Sequence, residues 1–427
     1  MRFGRAKQVP DQPQGIRQFQ QQVEPERLRV FDGFSDLPAD DLVMLSQFFE
    51  VEHMRPGSIL FDLGADDTRD YLLLEGQIDL VASDGRRSEI LVNSPRAKKA
   101  LARLRPRKFK AEVVLPSVLI SIEHHQLEQL MSQIQVNDEI RVFNMQDPQL
   151  SQYPFYLNMT ADLSARRLRW HYPTQVGLGL KAAAENISDS ALISLILADP
   201  LLAARAIRCA QLTNTAISGE SRAREVLQSV PANTLRALIA AQPVGEFKHP
   251  AVEKAWHQHW ERALELASMV RTLSDKTHLG NPEDIEIRVM WAEIGPLILL
   301  GYIDENPNLA KDPQAIQDAL IACGRETTLM LIKEWKLGGL TNTIAQANPD
   351  HPGEQDLADE ADLVIFAKMH RKLLSLRAVP ADWRDHPSFS RLSEVLPLTA
   401  DFSLELLDQA RNRAAGLSRP WIQSAYS

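Results

Sequence analysis

Cysteine is nearly absent: the 427 residues hold two, Cys209 and Cys323, and their separation matches no metal-ligand or redox spacing. A disulfide framework is therefore excluded, and both thiols are expected to be buried in a chain suited to a reducing compartment. Long apolar runs are missing too. ALISLILADPLLAA is broken by Asp199 and Pro200, short of the roughly 20 residues that a membrane span needs. The first residues, MRFGRAKQVPDQPQG, hold no apolar segment of the kind a secretory leader uses. A cytoplasmic protein without membrane contact is expected. There is no Walker loop, no Gly-x-Ser-x-Gly elbow and no helix-turn-helix that stands apart from ordinary amphipathic helices. Positive charge is not in excess either. The formal net charge of −9 argues against general affinity for nucleic acid and leaves only local basic stretches to weigh.

What is present reads as an ordinary folded chain, with 44% hydrophobic and 24% charged residues. Its length exceeds what one hydrophobic core usually serves, so two domains are expected. Residues 1–25, rich in Gln, Pro and Arg, have too little apolar content to order themselves and read as a flexible tail. Residues 28–134 then show a short helix near Pro38 to Phe49, followed by short β-like runs: FEVEHM, SILFDL, DYLLLEG, QIDLVAS, SEILV, AEVVL and SVLISIE. Gly57, Gly64, Gly76 and Asp84-Gly85 punctuate them at turn positions, the pattern of a small antiparallel barrel or roll closed by a helix from His124 to about Ile134.

Three segments sharpen that reading: Arg55-Pro56-Gly57 with Ile59-Leu60-Phe61 and Gly64, then Tyr71-Leu72-Leu73-Leu74-Glu75-Gly76, then Asp84-Gly85. Over about 105 residues they resemble the cyclic nucleotide-binding domain family. That resemblance implies a sensory β-roll that holds a cyclic phosphate through a short helix containing Gly-Glu and a following Arg-x-Ala, the arginine supplying a bidentate fork. The equivalent stretch here is NSPRAKKALARLRPRKFKAEVV. It has no Gly-Glu before Ala100-Leu101, and counting back from Ala111 puts Phe109 where the arginine belongs. Cyclic nucleotide is accordingly not expected as a ligand.

A basic run stands in its place: Arg96, Lys98, Lys99, Arg103, Arg105, Arg107, Lys108 and Lys110, with no acidic residue between them. Two readings are open. Arg103, Arg105, Arg107, Lys108 and Lys110 are candidate ligands for an anionic small molecule or a nucleic-acid backbone; alternatively the run is a solvated positive face. Nucleic acid is the weaker expectation, because Phe109 alone makes no stacking platform.

Residues 135–161, with Pro148 and Pro154, read as an irregular linker, and 162–427 as an all-α domain. Apolar spacing predicts helices on either side of Asp199-Pro200, where Asp199 suits an N-cap and Pro200 the first helical position. Further helices are predicted near 222–241, 251–275, 284–303, 313–334, 354–376 and 400–413. GLGLKA at 177–182 mimics a dinucleotide fingerprint but lacks the preceding strand and βαβ setting.

The order of landmarks in this half is Tyr172-Pro173, Asp199-Pro200, Trp256 with Ala263, Ile294-Gly295, Cys323-Gly324 and Trp335-Lys336-Leu337. From about Ala161 to Arg377 it resembles the HDOD family, helical regulatory domains related to HD metal phosphohydrolases. Two positions depart from the pattern: Gln211 where asparagine is common, and Gly338 where proline is usual. The resemblance implies a regulatory role in bacterial signalling through contact with another protein.

An HD enzyme needs converging imidazole and carboxylate donors to hold a divalent ion and activate its water. At the dyad, within MWAEIG, this chain has Ala292-Glu293; the first histidine position falls on Gln258, flanked by His257 and His259; and Lys368 stands where an aspartate ligand would be required. These residues, Ala292, Glu293, Gln258, His259 and Lys368, are read as a degenerate site with no metal, no catalytic residue and no cofactor. Glu293 falls on the stripe Met290, Glu293, Ile294, Leu297, and a buried carboxylate needs a partner. His259, His257 and Lys368 are the candidates.

The expected fold is thus multi-domain α+β, a cyclic nucleotide-binding-like β-roll followed by an all-α HDOD-like domain. The leading function is a non-enzymatic signalling or scaffold protein that contacts a protein partner. One alternative is a regulator gated by an anion on the basic run; another is a phosphohydrolase with a rebuilt metal centre. A homodimer is left open.

Overall fold

The structure is a computed structural model and describes residues 23–136, 150–165, 167–185, 187–213, 217–350, 353, 355–375 and 385–423. The tail expected over 1–25 lies almost wholly outside them. The chain divides into two compact units, 1–137 and 138–427.

The first unit opens with a 3-10 turn, Pro25–Val30, and helix α1, Ala39–Ser46, and then forms seven antiparallel strands. These are β1 (Glu50–Met54), β2 (Ile59–Phe61), β3 (Arg69–Glu75), β4 (Gln77–Ala82), β5 (Arg87–Leu91), β6 (Phe109–Val113) and β7 (Ser117–Glu123). One sheet has the order β1-β7-β3 and the other β2-β6-β4-β5. Helix α2, His124–Val136, follows directly from β7.

The run DYLLLEG is apolar throughout because β3 is covered on both faces. Side chains alternate across a strand, so Leu72 and Leu74 enter one core with α1, α2 and Phe31, while Tyr71 and Leu73 enter a second with Ile78, Leu80, Ala111 and Val113. β7 does the same, sending Ile120 and Ile122 to the first core and Leu119 to the second. Gly76, at φ +95°, sits where a Cβ would collide with the Pro116 carbonyl and Ser117, so the β3–β4 turn admits no larger residue there.

Among the described residues the regular structure of the second unit is helical apart from a two-residue parallel pair, β8 (Tyr172–Pro173) with β9 (Val244–Gly245). Helix α3, Pro154–Ser164, occupies what the sequence suggests is linker. Pro154 is the first residue of that helix, where its missing N–H costs nothing, and Phe155, Tyr156, Met159 and Leu163 form its buried face. Helices α4 (Thr174–Glu185), α5 (Asp189–Leu197) and α6 (Pro200–Thr213) follow. α5 and α6 bend by 116° at Asp199, and no single described helix is long and apolar enough to cross a membrane. GLGLKA lies inside α4, and a Cβ at Gly177 would enter the Val244 side chain.

The helix predicted over 222–241 is two, α7 (Ala223–Gln228) and α8 (Ala232–Ala240): Pro231, which has no N–H to continue the first helix, is the N-cap of the second. α9, Pro250–Thr277, is the long central helix, burying Val252, Trp256, Trp260, Ala263, Leu266 and Val270. The helix predicted over 284–303 is also two: α10 (Pro282–Trp291) and α11 (Ile294–Asp304), separated at Ala292-Glu293. Gly295 lets α11 lie close against α12, Pro313–Glu334, since a Cβ there would collide with the Gly324 carbonyl and Thr328. The unit closes with α13 (Gly339–Gln346), α14 (Glu360–Ser375), α15 (Pro387–Ser393) and α16 (Ala400–Gln423).

Candidate functional site

In the β-roll the basic run occupies the connection from β5 to β6, and its cations do not share one environment. Arg107 is 1% exposed. Its guanidinium grips Asp67 with two parallel bonds, Nε to Oδ2 at 2.7 Å and Nη2 to Oδ1 at 2.6 Å. The remaining donors reach the carbonyls of Ala102 at 2.6 Å, Arg69 at 2.5 Å and Leu101 at 3.4 Å. The planar group lies 4.3 Å above the Phe61 ring and 5.7 Å from that of Tyr71, an arrangement that suits a desolvated cation. The backbone ties the same loops: Arg107 N–H donates to Ala65 O, and Gly64 N–H donates to Arg107 O, both at 2.8 Å.

Arg105 forms a second pairing, Nη2 to Asp70 Oδ1 at 2.9 Å, with further bonds to the carbonyls of Asp67 and Arg69. Asp70 is buried, and its other oxygen lies 2.8 Å from His124 Nδ1 and 3.7 Å from Arg103. Burial alone would raise both carboxyls. At Asp67 the Arg107 bonds and charge overcome burial, and at Asp70 those of His124 and Arg105 do, so both are held below the ordinary carboxylate value.

The five candidate anion ligands are therefore placed differently from one another. Arg105 and Arg107 are turned inward and saturated, and Lys110 pairs with Glu112 at 2.8 Å. Arg103 and Lys108 are exposed. Counting from Ala111 placed Phe109 in the arginine position, yet a buried arginine is present two residues earlier. Asp67 escaped notice because nothing local marks it; its partner lies 40 residues away.

In the helical unit Glu293 sits in the turn between α10 and α11, at φ −113° and ψ 10°, and not on a continuous helical stripe. His259 Nε2 lies 3.0 Å from its carbonyl and 3.6 Å from its Oε2. Burial lowers the His259 imidazole below its ordinary value, with Glu293 opposing, so its Nε2–H donates to the carbonyl as a neutral ring. Lys368 and Arg371 project from one face of α14, donating to Ala347 O at 3.0 Å and Arg262 O at 3.3 Å. Both are lowered by burial, and both feel the Glu293 charge. Of the five sequence-predicted residues, Glu293, His259 and Lys368 therefore converge. Ala292 only caps α10, and Gln258 points to solvent. His257 lies 4.0 Å from Glu253 instead. Arg371 was missed, although its spacing of three from Lys368 places the two on one helical face.

The landmarks of this half meet in space. Tyr172 Oη donates to Asp199 Oδ1 at 2.6 Å, the same oxygen that caps α6 by accepting from Leu202 N–H at 2.6 Å. The Tyr172 ring meets Trp256 edge-on at 6.0 Å, and Trp256 stacks on Trp260 at 6.0 Å. Burial pushes the Asp199 carboxyl up to about 6 despite these donors. The two departures noted above also meet: Gln211 Nε2 donates to Lys336 O at 3.2 Å, and Gly338, at φ +95°, packs against Gly219. Arg288, 1% exposed, binds Gly219 O at 3.0 Å and Thr341 Oγ1 at 3.2 Å beneath them.

Two open grooves of about 270 and 420 Å³ flank α7 and share Arg224 and Gln228. Neither is lined by Arg107, Glu293 or His259. Among the described residues no three His, Cys, Asp or Glu side chains converge as metal ligands.

No protein-family model matches this chain, and no curated protein matches it. Solved structures do. The regulatory domain of Toxoplasma gondii PKA, crystallised with cAMP, is 17% identical over 26% of this chain and 46% of its own, with a TM-score of 0.23. The chain thus spans just under half the length of that structure. A cyclic nucleotide-binding-like protein from Brucella abortus is 18% identical over 26% of this chain and 97% of its own, with a TM-score of 0.21. The MmoQ response regulator from Methylococcus capsulatus is 17% identical over 56% of this chain and 97% of its own, with a TM-score of 0.42.

Proposed function

We propose that this chain is a non-enzymatic regulatory or scaffold protein, in which a β-roll that needs no cyclic nucleotide is joined to an HDOD-like helical domain that contacts a protein partner. The observation that carries this reading is the saturation of Arg107. Its charge is met by Asp67, and its remaining N–H groups are engaged by backbone carbonyls, so an incoming phosphate finds no free donor on it.

The helical site supports the non-enzymatic half. A divalent ion at Glu293 would meet one carboxylate and one imidazole, with Lys368 and Arg371 close enough for their charges to couple to the same carboxylate. Two cations oppose a third. The site's polar groups instead hold α9, α11 and α14 together.

Assay of the purified chain with manganese, iron or zinc and an activated phosphodiester tests this. No turnover above a protein-free control is expected. Metal-dependent turnover that disappears in a His259→Ala variant would overturn the reading and restore the hydrolase alternative.

A further inference from the structure

We propose that Asp67 is a built-in anion: its carboxylate fills an oxyanion site made by Arg107, Phe61 and Tyr71 and locks the β-roll in one ligand-independent state. The proposal rests on the reading of the roll as nucleotide-independent and adds the residue responsible.

Three observations carry it. First, the fork is built for an anion with two oxygens, since Nε and Nη2 address Oδ2 and Oδ1 separately at 2.7 and 2.6 Å. Second, the receptor is rigid and dry: the Arg107 side chain is fully buried, sandwiched by Phe61 and tied to three carbonyls. Third, the anion is the half that faces solvent. Asp67 lies in the β2–β3 connection with its side chain 26% exposed, and besides Arg107 it accepts a bond from Arg69 N–H at 3.1 Å.

The carboxylate therefore stands between the buried guanidinium and solvent, where a tetrahedral oxyanion in its place would present the same pair of oxygens. A free anion must compete with one that the fold holds 2.6–2.7 Å from the fork, which is present at high effective concentration. Wild-type protein consequently ignores phosphate, and removal of the Asp67 carboxylate exposes the site.

Hydrogen exchange on the full chain reads this directly, at the amides of Gly64, Leu101 and Arg107 that close the two loops. In Asp67→Ala these amides are expected to exchange more than about tenfold faster in chloride. Inorganic phosphate at equal ionic strength should restore protection. Adenosine 3′,5′-cyclic monophosphate forms a separate arm, and rescue by it as well would show that the pocket also takes a diester. Wild type should exchange alike in all three.

If Asp67→Ala folds only in phosphate, that is the expected result in stronger form. If it folds in none, Asp67→Asn is taken through the same arms, since it keeps the shape and loses the charge. Variants that fail to distinguish phosphate or the cyclic nucleotide from chloride overturn the proposal. A wild-type response to cyclic nucleotide overturns instead the functional reading beneath it.

Discussion

The ion pairs of the β-roll and the Asp199 cluster of the helical unit handle buried charge in opposite ways. In the β-roll Arg107 is buried against Asp67, and Asp70 against Arg105 and His124. In the helical unit Asp199 is buried among neutral donors, Tyr172 Oη, the Leu202 N–H and Trp260. Lys368 sits near one carboxylate, Glu293, and two guanidinium groups, Arg325 and Arg371. Paired charge favours ionisation, while burial without a counter-charge opposes it. The roll thus pairs its buried arginine and Asp70 ionically between two apolar cores. The helical unit keeps Asp199 among neutral donors while pairing other buried charges, Asp362 with Arg391, Glu286 with Arg271 and Arg413, and Arg288 with Asp284.

Breaking a paired ion should cost most. Arg107→Ala leaves Asp67 without its counter-charge and removes the filler between Phe61 and Ala102. A loss of about 3–5 kcal/mol is expected from the β-roll, read as the urea midpoint of its slow-exchanging amides. Retention of wild-type stability would show that the pair is dispensable.

Next comes packing in the helical unit. Gly295→Ala forces α11 from α12, because the added methyl meets the Gly324 carbonyl and the backbone and hydroxyl of Thr328. A loss of about 1–3 kcal/mol is expected. All seven tryptophans lie at or after Trp170, so tryptophan fluorescence follows this unit alone.

Acidity separates Asp67 and Asp70 from Asp199 by sign. The Asp67 and Asp70 carboxyls are depressed in the folded state, so their contribution is complete above the unfolded carboxylate value of about 4 and is lost as pH falls through the folded values. Asp199, raised to about 6, does the reverse. The folded state keeps its proton longer than the unfolded chain does, so stability declines as pH rises from about 4 towards 6 and is level beyond. Burial holds His171, His259 and His370 below the ordinary imidazole value and so opposes Asp199 on acidification. The Asp199 contribution is therefore read as the difference between wild type and Asp199→Asn. In tryptophan-reported melting curves between pH 3 and 7 that difference should move in favour of wild type as pH falls from about 6 towards 4, and a difference that does not change with pH would contradict it.

The smallest effect is expected at Glu293. Its carboxylate is 3.6 Å from His259 and partly solvated, at 21% side-chain exposure, so Glu293→Gln should cost at most about 1 kcal/mol in tryptophan-monitored unfolding. Loss of several kcal/mol would mean that this cluster is as tightly coupled as the one in the roll.

How much of this the sequence disclosed follows the same division. The strands were legible, because period-two patterning and turn glycines are local signals. The cap at Asp199 was legible for the same reason. Helix boundaries at Pro231 and at Ala292-Glu293 were not, since the apolar period continues across both breaks. In the roll, the basic run concealed its own neutralisation: Asp67 and Asp70 lie 40 and 35 residues from Arg107 and Arg105, and only tertiary folding brings them together. At the helical site Glu293 was legible from its substitution for a metal ligand, whereas nothing local distinguishes the exposed Gln258 from its neighbour His259, or marks Arg371 as facing Glu293.

The most direct test is calorimetric titration of the full-length wild-type chain with adenosine and guanosine 3′,5′-cyclic monophosphates. If Asp67 already satisfies Arg107, neither nucleotide gives a saturable heat. A one-to-one saturable isotherm with either, abolished by Arg107→Ala in a chain that still folds, would contradict the account.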